Sequence, residues 1–260
     1  MSYWADWGNS AQYDIPYTNS WYQGWDECFP AIAGSKYAGH PYDGIAVPDH
    51  GELWGIPTTA VPIENGITTV WHGLRFGYRL TRKLTLEGPS LLADYTLVNL
   101  VPFPFQFVWA AHALMNIAGG FELDLVGDPA MLGRAETDRV PVHPFRWPQW
   151  DEMDLSRFGS LPEHRGLKCF SVDPIAGPAI VRYPQRGRQV RIEFASQDVS
   201  AFWGIWINTG AWNRQQHVAV EPTTGRIDQI DEAIKDKSAG IVTASGKVHW
   251  QVRWTIEPAA

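Results

Sequence analysis

The clearest signal along the chain is a two-residue alternation. Leu74, Phe76, Tyr78 and Leu80 alternate with Arg75, Gly77, Arg79 and Thr81. That period marks a strand with one buried face. Residues 91–100 and 103–112 read as further strands. Val190, Ile192 and Phe194 fall on one face, with Arg191 and Glu193 on the other. Near the end, Val248, Trp250, Val252 and Trp254 alternate with His249, Gln251, Arg253 and Thr255. Residues 24–62 are dense in Gly, Pro and Asp, which punctuate regular structure, so they read as one long loop over a site. Residues 1–23 read as irregular. A single helix is expected at about residues 226–237. Many short strands and almost no helical period predict an all-β sandwich or barrel. With no repeat or linker in view, residues 1–260 are expected to form one domain.

Composition narrows the classes of partner. The chain has 21 Lys and Arg against 28 Asp and Glu, a formal charge of −7. An acidic chain is poorly suited to a phosphate backbone, so no nucleic-acid partner is expected. The apolar stretch around residues 105–115 is too short to span a bilayer and contains His112, so no membrane partner is expected either. The first residues carry no basic or apolar signal segment. Cys28 and Cys169 are too few for a disulfide framework and are expected to be separate reduced thiols in a cytoplasmic protein. The chain also holds 14 Trp. Indole faces stack well on the C–H faces of sugars, although most Trp side chains in a sandwich serve the core.

Candidate chemistry rests on histidine and carboxylate. There is no zinc signature, nucleophile elbow or phosphate loop, and neither a metal nor an organic cofactor is expected. His50 sits in DHGELWG within the long loop. His112 ends an otherwise apolar run, FVWAAHALMNI. On the next candidate strand His217, Ala219 and Glu221 share a face. Trp203, Trp206 and Trp212 cluster in FWGIWINTGAW. His72 reads as an ordinary strand residue. A carboxylate after an apolar strand needs a partner or solvent.

The order of these pieces resembles the aldose 1-epimerase (galactose mutarotase-like) family. It runs GWDECFP, DHGELWG, DYTLVNLVPFPFQFVWAAHALMNI, GIWINTGAW and VAVEPTTGRIDQIDEAI. The resemblance covers roughly residues 24–257 and implies a β-supersandwich. It also implies His112 as general acid, Glu221 as general base and His50 as a sugar-binding residue. Such a pair would open a pyranose ring and let it close to the other anomer. Where the better-studied mutarotases carry an Arg after the loop His, this chain has Trp54, which is expected to bind the sugar and to shape a pocket that favours stacking, unlike the galactose type. Asp173 is the nearest counterpart of the family's sugar-binding Asp, and Trp206 would stack on the ligand. The implied partner is a monosaccharide or sugar derivative. A non-catalytic sugar-binding or sugar-sensing protein is the alternative. A glycoside-cleaving enzyme ranks last, since it needs two carboxylates and one stands out. Residues 1–23 are expected to cover the sandwich or to help form a homodimer.

Overall fold

The computed structural model describes residue 17 and residues 24–117, 120–136, 142–157 and 161–259. Among the described residues two large antiparallel sheets dominate. The first has nine strands in the spatial order Trp25–Cys28, Ala110–Asn116, Gln216–Thr223, Phe202–Thr209, Gly166–Ser171, Ala130–Ala135, His143–Arg146, Gln149–Trp150 and Met153–Asp154. The second has eight, in the order Glu122–Leu125, Ala179–Tyr183, Arg188–Ala195, Lys247–Pro258, Ser90–Asn99, Tyr78–Glu87, Gly66–His72 and Thr59–Ile63. The expected all-β sandwich is what forms. Strand Ser90–Asn99 pairs with both Tyr78–Glu87 and Lys247–Pro258, and the alternation in each puts one face inward.

Aromatic rings fill the space between the sheets. Trp250 and Trp109 are fully buried. Trp250 stacks on Tyr95 with centroids 5.2 Å apart, and Trp109 lies 5.2 Å from Trp250. Each large aromatic removed from water contributes about 1.5–3 kcal/mol. Among these rings sits a buried carboxylate, Glu27. Its oxygens accept from Arg82 Nη1 at 2.8 Å, Tyr95 Oη at 2.7 Å and Trp109 Nε1 at 2.7 Å. These partners offset the cost of burying the charge.

Three expectations need correction. The alternation read from Leu74 becomes a strand only at Tyr78. Gly73–Gly77 is a turn, and Leu74 is exposed. A Cβ at Gly73 would stand 2.1 Å from the Phe76 carbonyl oxygen and 2.4 Å from the Tyr78 ring, so the chain can fold this tightly only at glycine. The stretch read as one long loop opens with the strand Trp25–Cys28, which pairs along Ala110–Asn116. Its WDEC sequence has too few apolar residues to show a period. The helix runs Ile230–Asp236, beginning later than expected. Before it, the Asp228 carbonyl accepts from Ile32 N–H at 2.9 Å and Ala33 N–H at 3.0 Å, which holds the backbone out of the helical path. His72, as expected, is an exposed strand residue.

Candidate functional site

The pleat of Trp25–Cys28 sorts its side chains. Glu27 points to the core between the sheets, so its neighbour Asp26 points to the outer face of the nine-stranded sheet. Asp26 is the direct cross-strand partner of His112. The register that pairs Ala219 with Leu114 and Thr223 with Ala110 brings Glu221 beside His112. The next row of the same face runs Leu114, Ala219, Trp206, Lys168 and Arg134 across five strands. From these rows His112, Leu114, Trp206, Lys168 and Arg134 line an open cavity of about 290 Å³, and Glu221 lies buried behind them without lining it. Ile32 and Ala33 add apolar wall, Trp206 and Trp212 add indole faces, and His50 and Asp228 add polar groups.

His112 and Glu221, 109 positions apart in the sequence, therefore converge. His112 Nε2 lies 3.8 Å from Glu221 Oε1, and both residues are buried. His112 Nδ1 lies 2.8 Å from Asp26 Oδ1. Burial works against charge on His112. Asp26, by charge and by hydrogen bond, outweighs it with help from Glu221, and the imidazole titrates above its ordinary range. Burial likewise opposes the Asp26 carboxylate, but His112 holds it below its ordinary range. The pairing with Asp26 thus favours the charged form of His112, with Nε2 directed at Glu221.

Glu221 is itself clamped. Lys168 Nζ donates to both of its oxygens, at 2.8 and 2.7 Å, and lies 3.7 Å from Asp228 Oδ1. Burial pulls the Lys168 pKa down, but Glu221 and Asp228 raise it above the ordinary lysine range. Asp228 is shifted upward, first by burial and then by Glu221, against the pull of Lys168. Gly204 lies between Glu221 and Phe170 in the register. The Lys168 ammonium lies 5.1 Å from the Phe170 ring.

His50 lines the cavity and stands edge-on to His112, centroids 5.2 Å apart. Its backbone is left-handed at φ 61°, and Gly51 follows at φ 73°. A Cβ at Gly51 would lie 2.0 Å from the Phe29 carbonyl oxygen, which explains the His-Gly pair in DHGELWG. Glu52, fully buried, accepts from Arg75 N–H and Tyr78 Oη at 2.9 Å and pins the same loop. Tyr17 stacks on His50 at 3.6 Å and donates to Asp26 Oδ2 at 3.1 Å. The expectation for the rest of residues 1–23 lies outside the described residues.

Of the remaining sequence candidates, Trp206 lines the cavity. Its Nε1 donates to His217 Nε2 at 3.2 Å. Burial, then the charge of His112, lowers His217 to about 4, so it stays a neutral acceptor. Trp203 falls on the opposite face from Trp206, as their odd spacing requires. Trp54 and Asp173 do not line the cavity. Trp54 Nε1 is turned to the Asp49 carbonyl at 3.0 Å, and its ring meets Tyr17 edge-on. Asp173 lies beyond Phe170 and Ser171, where its carbonyl accepts from Ser171 Oγ and its charge acts on Arg226. Asp26, Lys168 and Asp228 were not among the sequence candidates. One signal existed for Asp26, which alternates with Glu27 in a short run ending at Cys28. Lys168, in GLKCFS, is a lone cation in an otherwise apolar run. Nothing in the sequence marks Asp228 among the polar residues near it.

Asp26, His50 and His112 offer metal-ligating atoms within 4.8 Å of one another. The Asp26–His112 hydrogen bond already joins two of the three donors. The cavity is otherwise suited to a small polar ligand with a flat apolar face, and its floor is suited to moving protons.

No family model matches the chain, and no curated protein matches its sequence. Solved structures do match its fold. The Slr1438 protein from Synechocystis sp. PCC 6803 is 15% identical, with 90% of this chain and 78% of that chain covered at a TM-score of 0.70. A galactose mutarotase-like protein from Lactobacillus casei ATCC 334 is 15% identical, covering 90% and 85% at 0.67. A galactose mutarotase related enzyme from Lactobacillus acidophilus is 13% identical, covering 91% and 83% at 0.66. This chain has the all-β sandwich fold of the galactose mutarotase-like proteins.

Proposed function

We propose that the chain binds a monosaccharide or sugar derivative in this cavity and interconverts its α and β anomers. The observation that carries the reading is His112, held at Nδ1 by Asp26 with Nε2 facing a carboxylate 3.8 Å away. The shared fold and the indoles of Trp206 and Trp212 on the cavity wall support it. A protonated His112 gives its Nε2 proton to the ring oxygen. A carboxylate on the cavity floor takes the anomeric hydroxyl proton, the C1–ring oxygen bond breaks, and the aldehyde forms. Rotation about C1–C2 and reversal of both transfers give the other anomer. Glu221 is the base that the family order suggests, with Asp228 near it across Lys168. Each positioned acid or base contributes about 10²–10⁴-fold. Two buried free thiols suit a reducing compartment such as the cytoplasm.

A second reading is a sugar-binding protein that does not catalyse. The clamp of Lys168 on both Glu221 oxygens favours it, because a base held in a buried ion pair is hindered. NMR exchange spectroscopy on a panel of aldoses separates the two. Faster anomer exchange than in buffer, lost in His112→Ala, supports the enzyme. Saturable binding without faster exchange leaves the binding protein.

A further inference from the structure

Two carboxylates flank Lys168, and they differ in what they can reach. Glu221 is fully buried, and both its oxygens are bound by the ammonium. To act as a base it would have to give up a buried ion pair at each turnover, leaving the ammonium with only Asp228, 3.7 Å away. Asp228 lines the cavity. Its Oδ1 is sheltered from solvent yet accepts no hydrogen bond, with Lys168 Nζ 3.7 Å away, beyond hydrogen-bond reach. The Asp228 side chain keeps 15% of its surface accessible at the cavity, whereas that of Glu221 keeps none, so a ligand hydroxyl meets Asp228 first. The backbone there is fixed, because the Asp228 carbonyl accepts from Ile32 and Ala33, two residues of the cavity wall.

We infer that Asp228, rather than Glu221, is the carboxylate that accepts the anomeric hydroxyl proton of the sugar. The inference rests on the anomer-exchange reading above. Asp228 takes the proton from the C1 hydroxyl as His112 protonates the ring oxygen, and returns it when the ring closes. Lys168 stays charged throughout, compensated by Glu221. Glu221 is then a positioning residue: it anchors Lys168 beside Asp228 and faces His112 Nε2. Burial raises the Asp228 pKa toward the range where a carboxyl can both take and release a proton.

The test compares Asp228→Asn with Glu221→Gln in the full chain, using NMR anomer exchange across pH on whichever aldose the wild type accelerates. The expected result is a fall in kcat of about 10²–10⁴-fold for D228N, at an unchanged melting temperature. The acidic limb of the rate profile should vanish with it. E221Q should keep that limb, even where its rate and melting temperature fall. If D228N keeps its rate and E221Q loses the acidic limb, the assignment is overturned while the anomer-exchange reading stands. If the wild type accelerates no aldose, both fall together.

Discussion

Asp26 and His112 face one another across paired antiparallel strands, with Asp26 Oδ1 2.8 Å from His112 Nδ1. The bond fixes which imidazole nitrogen is left to face Glu221 and the cavity, and it makes the charged form of the ring the favoured one.

Asp26→Asn removes that support. The His112 titration, followed by NMR of the ring protons, is expected to move to lower pH. The sign for stability follows from both shifts. His112 is raised in the folded state, so its contribution is complete below its unfolded pKa and is lost as pH rises through the folded value. Asp26 is lowered, so its contribution is present above its unfolded pKa and is lost as pH falls through its folded value. The wild type should therefore exceed D26N in melting temperature most at mildly acidic pH, with the gap closing on both sides. A gap independent of pH would contradict the pairing.

Lys168→Met leaves Glu221 fully buried without its ammonium partner. Breaking one side of a buried pair costs about 3–5 kcal/mol, whereas replacing both partners with apolar residues restores much of it. Urea unfolding of K168M, and of K168M combined with Glu221→Leu, should show the single variant as the less stable. Equal stability of the two would mean that the pair is open to water.

Gly166→Ala tests the cavity wall. A Cβ there would lie 1.7 Å from the Trp212 ring, so the indole must leave its place on the sheet. Trp212 is already partly exposed, and it should swing into solvent. The expected outcome is stronger iodide quenching of the Trp212 contribution, defined against Trp212→Phe, with a stability loss within about 1–3 kcal/mol. Unchanged quenching would mean that the backbone moves instead.

Cys28 and Cys169 are both free and buried, and burial pushes the Cys169 thiol up to about 12. For Cys28, burial and then the charge of Asp26 also push upward. A thiol reagent at pH 8 should label neither in the native protein and both in denaturant. Rapid native labelling would show local opening at the Asp26 strand or at the Lys168 strand.

Sequence by itself determined the class of fold. Alternation in Ser90–Asn99 and Lys247–Pro258 needed only the two-residue pleat and the drive to bury one face. It also singled out His112, Glu221, His50 and Trp206, because each is a polar or aromatic residue set against an apolar or glycine-rich background. It could not show the turn at Gly73–Gly77, where the alternation is present but glycine permits a tighter path than a strand. Nor could it show Trp25–Cys28, too short and too acidic to carry a period.

Only the tertiary structure decided what those residues do to one another. Asp26 meets His112 from 86 positions away, and Lys168 meets Glu221 from 53 away. Both contacts depend on the order and register of strands in one sheet. A one-residue slip would turn every side chain of a strand to the other face and dissolve the site. Trp54 shows the same dependence in reverse. It is prominent in the sequence beside His50, but a hydrogen bond to the Asp49 carbonyl and the Tyr17 ring take its place against the loop. Asp228 is unremarkable in the sequence, yet the loop hydrogen bonds from Ile32 and Ala33 set it at the cavity. The kinds of chemistry available are written in residue type. Which acid, base and cation share one cavity is fixed by long-range pairing, which local sequence does not encode.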